Sequence, residues 1–220
     1  METDYLTIQA SGNHELEIKK SRFIGDLGRV TSEDEAKAFI AAVTAREPKA
    51  THHCWAYLIG EHDEIQRESD NGEPSGTAGV PILTVLQRNH LHNVIAVVTR
   101  YFGGIKLGAG GLIRAYSNST STAIEAVGVV KLVRQQAMTL TVDYPHFDRL
   151  NHYLTENNIA ILDTSYTDQV AITIAVDLAD VAATQTAITN LLSDRLTLKL
   201  GDIAYNEVPV EINASSRSDD

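Results

Sequence analysis

The chain has 220 residues, which is enough for one large domain or two small ones. Its net charge of −11 argues against a protein that coats DNA nonspecifically, and its 43% hydrophobic content is sufficient for a buried core. We find no apolar run long enough for a transmembrane helix and no signal-peptide pattern, and the single cysteine excludes a disulfide framework. We therefore expect a cytoplasmic protein without a membrane partner.

Charge is distributed unevenly along the chain. Residues 1–135 contain 14 Lys and Arg against 16 Asp and Glu, whereas residues 136–220 contain 4 against 13. The cations thus belong to the first part. We expect the acidic second part to tune selectivity for an anionic partner, or to screen the cations from other partners.

The first 69 residues predict strands around one helix. Residues 6–30 form strand segments interrupted at glycines, and Ser32 is the expected N-cap of a helix that stops at Pro48. The segment HHCWAYLIG predicts a strand, and a short strand is possible at 64–67. Strand alternation places two sets of residues on opposite faces: His53, Trp55 and Tyr57 on one, Cys54, Ala56 and Leu58 on the other.

A long loop, ESDNGEPSGTAGVP, comes next and precedes a predicted short helix at 79–89. The segment NVIAVVTRY then predicts a strand that is buried on both faces, because it is nearly continuous in apolar residues. A glycine loop, FGGIKLGAGG, leads from this strand into a helix with an apolar stripe. That stripe consists of Leu112, Tyr116, Ala123 and Val127.

The second half has the element order β-α-β-β-α-β, which is the signature of a ferredoxin-like domain. We place the boundary near residues 131–136. The predicted organisation is a first domain at 1–133, a ferredoxin-like domain at 137–206 and a polar tail at 207–220. The predicted fold class is α+β.

The glycine loop is the first candidate site. It lacks the Gly-Lys-Ser/Thr of a P-loop and the third glycine of a dinucleotide fingerprint, but the amides that begin the following helix favour an anion. Arg100, Lys106 and Arg114 lie before, within and after the loop, and could form a cationic patch for a phosphate backbone or an acidic partner. Alternatively these are three solvated cations, or Arg100 pairs with Asp70 or Glu73.

The loop before the short helix is the second candidate site. Asp70, Glu73 and Ser75 could serve acid–base chemistry together with His53, although turn residues alone explain much of this loop. Cys54 is expected to be a small buried residue rather than the partner of His53, since neighbouring side chains of a strand point to opposite faces. Trp55 and Tyr57 could stack on unpaired bases, but we favour a place in the core.

Three motifs resemble the Impact/YigZ family: HHCWAY at 52–57, DNGEPSGTAGVPIL at 70–83 and VVTRYFGGIKLGAGGLIRAY at 97–116. The resemblance covers essentially the whole chain. It implies a βαβ-type first domain similar to a small-subunit ribosomal protein and to domain IV of elongation factor G, followed by a ferredoxin-like domain. Asn71 stands where many relatives have Asp, which weakens a metal or catalytic interpretation.

The family is tied to translational control in eukaryotes through an additional N-terminal domain, which we expect this chain to lack. We therefore expect a non-enzymatic protein that binds RNA or the ribosome, or a translation-related protein, and that needs no metal or cofactor. A small hydrolase and a protein-interaction module are the alternatives. The predicted binding residues are Asp70, Gly72, Glu73, Ser75, Gly76, Arg100, Tyr101, Gly103, Gly104, Lys106, Gly108, Gly110, Gly111 and Arg114.

Overall fold

A computed structural model describes residues 4–60 and 62–210. Its elements, in chain order, are β1 (Tyr5–Ile8), β2 (Gly12–Ile18), β3 (Ser21–Arg29), α1 (Glu33–Arg46), β4 (His52–Ile59), β5 (Ile65–Ser69), α2 (Gly79–Arg88), β6 (Val94–Tyr101), α3 (Ala109–Val127), β7 (Val129–Val142), α4 (Tyr144–Glu156), β8 (Ala160–Tyr166), β9 (Val170–Asp177), α5 (Val181–Leu192) and β10 (Thr197–Pro209). This mixture of helices and strands confirms the predicted α+β class.

The first unit is built on a sheet with the strand order β2-β3-β6-β4-β5, in which all neighbours are antiparallel. Because β3 and β4 both run antiparallel to β6, they are parallel to each other, and α1 connects them. The predicted βαβ-type arrangement is therefore a split one, with β6 inserted between its two strands. All of β6 except its last residue is buried, as its continuous apolar sequence predicts.

Helices cover both faces of this sheet. One face packs against α2 and α3, where Cys54, Ala56 and Leu58 of β4 join a core that includes Tyr116. The other face packs against α1 through Tyr57 and its neighbours. The predicted alternation along β4 is thus confirmed. Trp55 and Tyr57 stack on each other with ring centroids 5.5 Å apart and belong to the α1 face.

The second unit is the predicted ferredoxin-like domain. Its strands have the order β10-β7-β9-β8, which is the order 4-1-3-2 of the split βαβ motif. The apolar sides of β7 and β9 form a core with helices α4 and α5, whose buried members are Leu150, Leu154, Ile188 and Leu192. The alternation of MTLTVDY and VAITIAVD selects this buried face.

The boundary between the units lies inside a strand rather than in a loop. The chain divides between Lys131 and Leu132, inside strand β7. The strand continues across the division because apolar residues recur through this stretch and keep it in the sheet. Strand β10 continues to Pro209, so 207–209 are strand rather than tail, and 211–220 lie outside the described residues. Within the described part of the chain, no helix is long and apolar enough to cross a membrane.

Candidate functional site

A row of three side chains crosses the first sheet where strands β3, β6 and β4 meet the loop 70–79. In the sheet register Arg100 lies opposite Phe23 on one side and opposite His52 on the other. Glu73 reaches this row from the loop. Arg100, His52 and Glu73 form the centre of what we call the buried polar network. Its members are His52, Cys54, Glu73, Arg100 and Tyr116.

Glu73 holds the network together. Its Oε1 accepts hydrogen bonds from Arg100 Nη1 and from the Tyr116 hydroxyl, the latter at 2.8 Å, and its Oε2 lies 3.9 Å from His52 Nε2. The side chains of Glu73 and Arg100 are only 4% and 6% exposed. The pairing of Arg100 with Glu73, one of the alternatives drawn from the sequence, is therefore what the structure contains, and this guanidinium is not part of a surface patch.

The thiol of Cys54 is a structural member of the same network. Its Sγ donates to the carbonyl oxygen of Asp70 at 2.9 Å and lies 3.3 Å from the Tyr116 hydroxyl oxygen. Burial raises the pKa of Cys54 to about 12 and also raises the pKa of the Tyr116 phenol. Both groups are thus neutral near pH 7, and Cys54 is not an activated nucleophile.

The carboxylate of Asp70 is used to cap α2. Its Oδ1 accepts from the amides of Ala78 and Gly79, both at 2.9 Å, and its Oδ2 accepts from Gly76 at 2.7 Å. Burial opposes ionisation, but the amide hydrogen bonds outweigh it and hold the pKa of Asp70 below its usual value. The positive end of α2 is therefore filled by the protein's own carboxylate.

These contacts do not bring together the residues of the hydrolase alternative, which are Asp70, Glu73, Ser75 and His53. The ring of His53 lies on the α1 side of β4, with Nδ1 3.1 Å from Thr99 Oγ1, and burial lowers its pKa. Ser75 is exposed, while the oxygens of Asp70 and Glu73 already hold the loop. The histidine beside Glu73 is His52, which strand alternation places on the same face as Cys54. That alternation could have identified His52 from the sequence.

The glycine loop has a fixed backbone at its start. The amide of Phe102 donates to Thr51 Oγ1 at 3.2 Å, and that of Gly103 donates to Ser21 Oγ at 3.1 Å. A Cβ on Gly103 would stand 2.0 Å from the carbonyl oxygen of Lys20, so only glycine allows this contact. The loop is therefore held against the turn between β2 and β3.

That turn contributes two cations that the glycine-loop motif does not include. Ile18 lies opposite Ser21 in the register, so Lys19 and Lys20 form a two-residue turn, with φ values of 47° and 65°. Two-residue turns with positive φ at both positions prefer Asn-Gly. We expected the strand segments to be interrupted at glycines, and residues 9–11 do separate β1 from β2 just before Gly12. The turn at Lys19–Lys20 is an additional one, and its signal in the sequence is two residues between segments of alternating polarity.

Lys106 and Arg114 are exposed, as expected of binding residues. Together with Lys19 and Lys20 they make four exposed cations at the loop and its flanking segments, and none has an ion-pair partner within 4–60 and 62–210. We call the segment 102–111 with these cations the glycine-loop surface. It comprises Lys19, Lys20, residues 102–111 and Arg114.

The remaining predicted binding residues lie in both regions. Tyr101 donates its hydroxyl to Glu47 Oε2 at 2.7 Å and is thus engaged by the protein itself. Gly72 and Gly76 adopt positive φ in the capped loop. Gly104, Gly108 and Gly110 have open space where a Cβ would be, and Gly111 touches Leu107. In the part of the chain that is described, no group of three His, Cys, Asp or Glu side chains is arranged for a metal ion.

Comparison with known proteins identifies the family. The Impact N-terminal domain matches residues 19–124, and Domain of unknown function (DUF1949) matches residues 140–195. IMPACT family member YvyE of Bacillus subtilis is 43% identical over 206 residues, covering 94% of this chain and 95% of that protein. IMPACT family member YigZ of Escherichia coli is 38% identical over 168 residues, covering 76% and 82%.

A solved structure extends the likeness to three dimensions. The crystal structure of a hypothetical protein is 32% identical, covers 90% of this chain and 97% of its own, and superposes with a TM-score of 0.59. The predicted resemblance is thereby confirmed, and the chain belongs to the IMPACT family.

Proposed function

We propose that the protein binds RNA or the ribosome through the glycine-loop surface and thereby modulates translation. The observation that carries this proposal is the set of four exposed cations without ion-pair partners in the described residues, although the chain has a net charge of −11. Acidic residues could neutralise such cations easily in a chain of this composition. Unpaired cations at the loop and its flanking segments are suited to phosphates, whose neutralisation releases counterions.

The backbone of the loop supports the same ligand chemistry. Helix α3 begins after Gly108 with no side-chain cap and no acidic residue in its first turn, unlike α2, which Asp70 caps. An uncapped helix start favours a negative group. Because Gly104, Gly108 and Gly110 leave open space, a sugar–phosphate chain can approach the main chain closely.

Fold-level analogy also supports an RNA or ribosomal partner. The first domain resembles modules of a ribosomal protein and of elongation factor G, and such likeness raises the prior without assigning a target. An acidic peptide is the competing ligand for the same cations. The contacts of Asp70 and Glu73 give the hydrolase alternative no support.

Co-sedimentation with ribosomes and free subunits tests the proposal. Wild type is compared with Lys106→Ala/Arg114→Ala, and the matched control Lys37→Ala/Arg88→Ala removes the same charge from α1 and α2. We expect wild type and control to sediment with ribosomes or a subunit at low salt, and the loop variant to remain in the upper fractions. Equal sedimentation of both variants, or no sedimentation of wild type at low salt, contradicts the proposal.

A further inference from the structure

Phe102 is a large aromatic residue left in solvent at the start of the glycine loop. Phe102 is 47% exposed, although it directly follows the buried strand β6. Trp55 and Tyr57, the aromatics that sequence considerations offered as a stacking platform, belong to the core. Among the described residues of the first unit, Phe102 is thus the exposed aromatic next to the cations of the glycine-loop surface.

The position of this ring is fixed by contacts beneath it. The Phe102 amide is held by Thr51, and the next residue, Gly103, is held against Lys20 and Ser21. The guanidinium carbon of Arg100 lies 5.5 Å from the centroid of the Phe102 ring, within the range of a cation–π contact. Because Arg100 is only 5% exposed and tied to Glu73, it supports the ring from the protein side.

The surroundings of the ring match a nucleotide better than an apolar peptide. Gly104 leaves open space two residues away, and Lys20 lies against Gly103. An aromatic face beside a cationic track is the arrangement that binds unpaired bases, since the base stacks while the cations take the phosphates. Exposed Ile105 adds apolar area, but the four cations give the surface a charge that complements a polyanion.

We propose that Phe102 stacks on an unpaired nucleobase, so that the RNA bound at the glycine-loop surface is single-stranded at this point. This inference rests on the proposed function and specifies its substrate class. A base-paired segment cannot offer the face of a base to Phe102 without unpairing, because that face is stacked inside the helix.

Binding of short labelled RNAs tests the inference. The probes are a single-stranded oligouridine of about ten nucleotides and a blunt duplex of the same length, measured by fluorescence anisotropy at low salt. Variants are Phe102→Ala, Phe102→Trp and the matched control Ile113→Ala, which truncates a residue that is 42% exposed on α3. Circular dichroism and urea unfolding establish that each variant is folded.

We expect Phe102→Ala to weaken binding of the single strand about tenfold and to leave binding of the duplex unchanged. Phe102→Trp should retain affinity, and its indole fluorescence should be quenched by the single strand above any response of Trp55 in wild type. Equal losses in Phe102→Ala and Ile113→Ala would overturn the stacking inference while leaving RNA binding intact. Failure of wild type to bind either probe would overturn the inference, whereas ribosome sedimentation judges the proposed function separately.

Discussion

Two neighbouring regions of the first unit contain charged residues from the same sequence motif but use them in opposite ways. In the buried polar network Arg100 forms an ion pair with Glu73, and in the adjoining loop the Asp70 carboxylate accepts hydrogen bonds from backbone amides. On the glycine-loop surface, Lys106 and Arg114 are exposed and without ion-pair partners in the described residues. A charged residue in a motif can therefore either hold the fold together or bind a ligand, and its burial shows which role it has.

The comparison assigns different consequences to mutations in the two regions. Substitutions in the network should alter the free energy of unfolding, because they leave buried polar groups without partners. Substitutions on the surface should alter binding and leave stability nearly unchanged, or improve it.

Glu73→Ala should lower the free energy of unfolding by about 3–5 kcal/mol, because the buried guanidinium of Arg100 loses its counter-ion. Urea unfolding at neutral pH measures the change. The control Glu17→Ala removes an exposed carboxylate from β2 and should stay within about 0.5 kcal/mol of wild type.

The double variant Glu73→Gln/Arg100→Met tests the cause of that loss. It removes both charges and should be less destabilised than Glu73→Ala, since an apolar residue replaces the unpaired guanidinium. A double variant that is as unstable as Glu73→Ala would show that the ion pair is not the reason.

Asp70→Asn should lower the free energy of unfolding by about 2 kcal/mol, because the amides that begin α2 lose a charged acceptor. The folded-state pKa of Asp70 is lowered, so its contribution is complete above the unfolded pKa of about 3.9 and is lost as pH falls through the folded pKa. Urea unfolding at decreasing pH should show a smaller acid-induced loss in Asp70→Asn than in wild type. Parallel pH profiles would contradict the capping role.

Lys19→Asn/Lys20→Gly should move stability and binding in opposite directions. The replacement pair suits a turn with positive φ at both positions and should stabilise the fold by about 1 kcal/mol. It also removes two cations, so RNA affinity and the salt dependence of binding should both decrease. Unchanged RNA affinity would show that this turn does not contribute to binding.

Gly110→Ala should give the smallest change in stability. Its single added methyl group should affect stability and RNA binding in opposite directions. Gly110 lies in the first turn of α3 with open space around its missing Cβ, so alanine should stabilise by about 0.5–1 kcal/mol. RNA binding should nevertheless weaken, since the added methyl stands where the ligand approaches. Gly104→Ala is the control: the space is equally open, but its φ of 83° makes alanine destabilising.

Much of the fold could be predicted because local signals agree with it. The Ser32 side chain accepts from the Glu35 amide as an N-cap should, and alternation along β4 and the apolar run of β6 give the right faces. The boundary has no loop signal of its own, because β7 continues its alternating pattern through the division at Lys131.

The candidate site was less predictable because it depends on contacts between distant segments. Glu73 and Arg100 are 27 residues apart, and only the folded sheet shows that they meet in the interior. The exposure of Phe102 could not be predicted from the sequence either, since this residue follows an apolar strand and is of a type usually found in the core. Nothing local distinguishes an arginine that will be buried from one that will be exposed.

The continuous strand β7 has a practical consequence for cutting the chain. Proteases cleave flexible loops that can extend into their active sites, whereas a strand hydrogen-bonded within a sheet resists them. Limited proteolysis should therefore fail to release the two halves at the division, and a gene truncated near residue 131 would end inside a strand. Such a fragment would expose unpaired strand edges and tend to aggregate.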